Sequence, residues 1–219
     1  MKKFNFSHLC KLAGMALLAF GLSGCPTTYN MGTARTIGEG EMEFNTTLVY
    51  QGLDVGALVG DSSVGSVAIP FVDFGYRYGV AENMDLGINV KGIGKVGADL
   101  KINLVDTDSI ALSIAPEISG SQIAGAGVLQ WDLPILLDLI LSEDLSIVIA
   151  MKYTGYMPIG SDDAFLSNFV GGTIGLDFAL GESFAIHPFA GVAYLIAEEL
   201  PDNVEVILPH AGLGLRFGL

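Results

Sequence analysis

The sequence predicts an all-β chain that closes as an antiparallel up-and-down transmembrane β-barrel of about ten strands. Three observations predict it. Of 219 residues, 51% are hydrophobic and 16% charged, and the mean hydropathy is +0.54, an apolarity typical of membrane proteins. Yet beyond residue 24 no run of about 18 apolar residues exists to form a spanning helix. In lipid every backbone polar group needs an internal partner, so a chain without spanning helices has the closed barrel left as its spanning solution. From about residue 41, moreover, apolar and polar residues alternate with period two in segment after segment.

The same composition excludes other classes. Intrinsic disorder needs low hydrophobicity and dense charge, the opposite of this chain. With ten Lys and Arg against 24 Asp and Glu, a net charge of -14 and a pI near 4.3, no nucleic-acid partner is expected, because phosphate backbones are held by clustered cations.

The N-terminus reads as an address. Lys2, Lys3 and Lys11 form a basic region ahead of an apolar core, residues 12–22, too short to span a bilayer. Leu22-Ser23-Gly24-Cys25 follows at once. It resembles the lipobox of bacterial lipoprotein signals, and the resemblance implies cleavage before Cys25 and lipid on that cysteine. The cysteine count agrees: Cys10 would leave with the signal, so Cys25 would have no intramolecular disulfide partner. The expected division is a cleaved signal peptide over 1–24, a lipidated cysteine and tether over 25–40, and a barrel domain over 41–219. The tether assignment rests on the lack of any period in residues 26–40, which are rich in Thr and Gly.

Ten strands are expected over 41–51, 68–79, 83–93, 95–105, 109–119, 127–140, 144–156, 168–180, 183–196 and 205–219. Most are near or above the about 9 to 11 residues that a tilted strand needs to cross the hydrocarbon. In 84–91, Met84, Leu86, Ile88 and Val90 are apolar, while Asp85, Gly87, Asn89 and Lys91 are polar or small. The segment 127–140 also fits a buried helix, but Pro134 opposes a helix interior and the odd positions from Leu129 to Leu139 keep an apolar face. Short acidic turns at 81–83, 106–108, 142–144 and 181–183 alternate with longer or Gly-rich links, the largest being 52–67 and 158–167. That asymmetry separates the periplasmic and extracellular rims of outer-membrane barrels, and it puts both termini on the short-turn side.

Residues 76–87 (YRYGVAENMDLG) resemble the periplasmic hairpin common in bacterial outer-membrane β-barrels, in which an aromatic-ended strand meets a Gly-Val-x-acidic-Asn turn and restarts with alternating apolars. The C-terminus is similar to their closing strand through Gly214 and Phe217, with Leu219 where an aromatic usually stands. The resemblance implies residence in the outer membrane, contact with its lipid, and handling by the barrel-assembly and lipoprotein-sorting machineries.

The outward face is expected to carry Phe44, Leu48, Tyr50, Val72, Phe74, Tyr76, Tyr78, Trp131, Tyr153, Phe178, Phe184, Tyr194 and Phe217, aromatics at strand ends forming interfacial girdles. The inward face supplies a network built on Asp73, Arg77, Asp85, Lys91, Asp99, Lys101, Asp177 and Arg216. Opposite charges on neighbouring strands would pair there and largely fill a narrow bore. Alternation alone does not say which face is inside, so a soluble lipocalin-like lipoprotein holding a hydrophobic ligand is the alternative. A small passive pore is another.

No cofactor, metal site or catalytic residue is assigned. His187 and His210 share the inward face with Ser113 and Ser146, but no nucleophile-elbow pattern accompanies them. Asp162-Asp163 and Glu198-Glu199 with Asp202 lack calcium-loop spacing. The expected function is a lipid-anchored integral outer-membrane barrel with a structural or binding role exercised through its extracellular loops.

Overall fold

The computed structural model describes residues 32–54, 66–92, 94–123, 126–159, 167–196 and 206–218. The signal sequence, Cys25 and the largest links lie outside them. Eleven strands follow in order: β1 (Met42–Asp54), β2 (Ser66–Ala81), β3 (Met84–Lys91), β4 (Lys95–Asp106), β5 (Ile110–Ile114), β6 (Glu117–Ile123), β7 (Ala126–Ser142), β8 (Leu145–Ile159), β9 (Ser167–Ala179), β10 (Phe184–Ile196) and β11 (Ile207–Gly218). Each pairs antiparallel with its neighbours in a meander, and β1 closes on β11 from Glu43 opposite Gly218 to Gln51 opposite His210. Both β5 and β6 lie between β4 and β7. They are two halves of one span, so the barrel has ten strands.

The break within that span is chemical. Pro116 and Pro134 face the same stretch of ladder, and neither has an N–H to give. What remains is used: Ala115 N donates to Pro134 O at 3.1 Å, and Leu100 N to Pro116 O at 3.1 Å. Parity survives, with Ser113, Ala115 and Glu117 all inward. The segment that also suited a helix, around Pro134, is β7, the longest strand.

The apolar face points out. Leu86, Ile88 and Val90 on β3 are exposed, as are Val170, Ile174 and Leu176 on β9. Their neighbours in sequence, including Asp85, Asn89, Lys91, Thr173 and Asp177, are buried inside the bore. This is a soluble barrel turned inside out, which corrects the lipocalin-like alternative: that fold needs its apolar residues within. Four phenylalanines on adjacent strands, Phe74, Phe44, Phe217 and Phe184, touch in succession at centroid distances of 6.3, 6.4 and 5.1 Å. They form an outward aromatic arc near the rim that carries the short turns.

Residues 32–40, at the end of the expected tether, run inside the barrel. Gly32 lies among Asn45, Thr47, His187 and Gly214, within the bore. The chain then runs towards the turn rim and turns out into β1 over Gly79, where Gly40 N donates to Gly79 O at 2.9 Å. Gly38 and Gly40 have φ of 101° and 82°, the left-handed region that glycine enters without penalty.

Candidate functional site

Inward residues sit where the period of two places them, and register decides which of them meet. On the turn-rim side, Arg77, Gly87 and Asp99 are cross-strand partners on β2, β3 and β4. Arg77 Nη2 reaches across the middle strand to Asp99 Oδ1 at 2.5 Å. Lys101 Nζ meets Asp85 Oδ2 at 3.0 Å, and Arg216 bridges Glu43 at 3.0 Å and Asp177 at 2.5 Å. Lys91 pairs with Glu117. Asp73 takes a different partner, accepting a hydrogen bond from Gly92 N at 2.6 Å.

A second group occupies mid-bore. Asp132 accepts from Lys152 at 3.2 Å and from Thr154 and Gln130, while Gln130 accepts from Lys95 at 2.6 Å. Such charges are tolerable at this depth because each is hydrogen-bonded, Lys152 to Asp132 and Lys95 to the Gln130 amide. Asn45 Oδ1, Arg77 Nη1, Asn89 Oδ1 and Glu117 Oε1 have no direct partner among the described residues. Their side chains line one cavity of about 20 Å³, the size of a single water with several polar contacts. Towards the loop rim the filling turns apolar, with Phe169, Ala193, Val206 and Leu208 packed beneath Tyr156 and Leu195.

The N-terminal segment completes the filling. Ala34 is 0% exposed; its N–H donates to Asp138 Oδ2 at 2.9 Å, and its carbonyl accepts from Asn103 Nδ2 at 3.1 Å and from Ser113. Lys101 donates to Thr33 O at 3.3 Å and to Arg35 O. Ile37 N donates to Asp85 at 3.3 Å, and Thr36 Oγ1 to Glu82 O at 2.7 Å. Irregular backbone survives at this depth because lumen side chains replace the missing ladder partners. Lys101 and Asp85, expected in the network, thus also hold this segment.

Sequence reasoning missed that segment together with Lys95 and Asp138. The two side chains were legible, since both share the parity of the inward residues beside them. The segment had no signal in residue pattern, because backbone groups make most of its bonds.

His187 Nδ1 lies 3.7 Å from Asp177, beyond hydrogen-bond length, and His210 shares a 3.0 Å contact with Thr173 Oγ1. Ser113 is committed to Ala34 O. Among the described residues no group of three His, Cys, Asp or Glu could hold a metal ion. Asp162, Asp163, Glu198, Glu199 and Asp202 lie outside those residues.

No protein-family model matches the chain, and no curated protein is similar to it. Its solved structural neighbours include an outer-membrane channel from Pseudomonas putida F1, with a TM-score of 0.59 at 7% identity over 87% of this chain and 100% of that one. The outer-membrane protease OmpT from Escherichia coli gives 0.47 at 7% identity over 85% and 100%. Ail, the attachment invasion locus protein of Yersinia pestis, gives 0.34 at 14% identity over 82% and 99%. At 7% identity the channel shares the fold alone. The fold is that of the bacterial outer-membrane β-barrels.

Proposed function

We propose that the chain is an integral outer-membrane β-barrel, anchored to the periplasmic leaflet by lipid on Cys25, with a structural or binding role exercised through loops at its outer rim. The observation that carries this reading is the filled bore. Opposed charges, the segment 33–37 and the apolar cluster at Phe169 occupy it in turn. A barrel without an open bore works at its ends.

The turn rim carries the end of β11 and the start of β1, the periplasmic side in barrels of this kind. The opposite rim, where Asp54, Ser66, Ile159, Ser167, Ile196 and Ile207 end their strands, then faces outward. Six residues separate Cys25 from Gly32, and the seven steps between them reach at most about 25 Å. That reach exceeds the depth of Thr47 beside Gly32, ~17 Å of strand from the rim, so an anchor in the periplasmic leaflet is accessible.

Two measurements test the proposal. Cys25→Ala is expected to lose the lipid mass yet stay in the outer-membrane pellet, migrating faster in SDS before boiling than after it. Recovery of that variant in a soluble periplasmic fraction would overturn the reading. Purified protein in planar bilayers is expected to give no conductance steps; regular steps would replace the filled-bore reading with a passive pore.

A further inference from the structure

The wall of the bore holds residues 33–37 mainly by atoms that any peptide carries. Lys101 donates to the carbonyls of Thr33 and Arg35. Ala34 gives its N–H to Asp138, and its carbonyl accepts from Asn103 and Ser113. Asp85 accepts from the N–H of Ile37. Carboxylates thus meet the N–H groups, while ammonium, amide and hydroxyl donors meet the carbonyls.

Side chains are read at two positions. The Ala34 methyl is buried among Ala111, Ala115, Leu136 and Ala150, which leave room for a small residue only. The Thr36 hydroxyl donates to Glu82 O. Backbone hydrogen bonds with one pocket for a small side chain are the elements of a peptide receptor.

The barrel closes without this segment. β1 pairs with β11 from Glu43 to Gln51 and with β2 from Met42 to Asp54, and every strand lies beyond residue 41. Thr33, Thr36 and Ile37 also form one wall of a turn-side cavity of about 260 Å³, so the segment borders open space and can leave with no strand displaced. Gly38 and Gly40, with φ of 101° and 82°, give it a hinge. Water can refill the polar wall, but it cannot replace the Ala34 methyl on the alanine-lined patch. A peptide restores both.

We propose that this wall is a peptide-binding site, occupied in cis by residues 33–37 and open in trans to a segment of another protein bearing a glycine, alanine or serine at the position of Ala34.

The test uses the full chain in detergent micelles and the labelled peptides Gly-Thr-Ala-Gln-Thr-Ile-Gly and Gly-Ser-Ala-Gln-Ser-Val-Gly, whose glutamine replaces Arg35 to resist trypsin. Ala34→Leu overfills the alanine-lined patch and is expected to free the site while the ladder keeps the barrel closed. Fluorescence anisotropy should show saturable binding of both peptides to this variant, about tenfold or more tighter than to the unsubstituted protein, where the linked segment competes. Leucine at the central position, or a methyl on that residue's amide nitrogen, should each weaken binding about tenfold or more, the second because Asp138 loses its donor. Heat-modified mobility in SDS verifies that the variant is folded. Without any variant, excess peptide should speed trypsin cleavage after Arg35 of the unsubstituted protein, by occupying the wall each time the segment leaves it. That measurement decides alone if Ala34→Leu does not fold. No binding to folded Ala34→Leu, equal binding of the N-methylated peptide, binding of the native-like peptide only, or unchanged cleavage after Arg35 would overturn the proposal.

Discussion

Arg77, Gly87 and Asp99 stand in register on three neighbouring strands, and the ion pair closes across the glycine between them. A Cβ at Gly87 would lie 2.3 Å from Asp99 Oδ2 and 3.0 Å from Arg77 Nη2. Gly87→Ala is therefore expected to force the pair apart and cost about 1–3 kcal/mol, the usual penalty of overpacking. Asp99→Asn should cost more, roughly 3–5 kcal/mol, because it leaves a buried guanidinium without its counter-charge. Urea unfolding in micelles, read as loss of the fast SDS band, measures both. An Asp99→Asn variant as stable as wild type would mean that water already neutralises Arg77. The sequence placed Arg77 and Asp99 on one face. That they meet over Gly87 depends on register across two turns, which no local pattern encodes.

Among the elements, the segment 32–40 shows most clearly what periodicity leaves unread. It has no alternation because it is not a strand; its conformation is held by Asp138, Asn103, Ser113, Lys101 and Asp85. Those partners are at least 48 residues away in sequence. Its exit needs a bare Gly79, where a Cβ would lie 1.7 Å from Gly38 O. Gly79→Ala is expected to lift the segment, so that trypsin cleaves after Arg35 about tenfold faster, equivalent to ~1.4 kcal/mol of local stability. Unchanged cleavage, with the barrel still folded, would show that the segment is not held at this crossing. The ten strands behaved differently: each was legible within a few residues at its ends, because alternation is local. The break at Ala115-Pro116 could have been anticipated from its proline, although its opposition to Pro134 could not.

For the molecule as a whole, the decisive asymmetry lies between its two faces. Ile174, 58% exposed at the middle of β9, would face hydrocarbon if the barrel spans a bilayer. Ile174→Arg should then cost about 2–4 kcal/mol in lipid vesicles, whereas a surface substitution on a water-soluble barrel stays within about 0.5 kcal/mol. Equilibrium unfolding from vesicles separates the two outcomes. A cost near zero would contradict a membrane-facing exterior.

By itself the sequence determined the strand set, its period, the short-turn rim and the membership of each face, since all of these follow from the alternation of adjacent side chains along an extended backbone. Only the tertiary structure decided which face lies inside, because alternation is symmetric until the sheet closes. Register also decided which charges meet, since each pair joins adjacent or next-but-one strands whose alignment is set across the turns between them. The path of residues 32–40 belongs with these, because backbone hydrogen bonds to distant side chains leave no mark on local residue order.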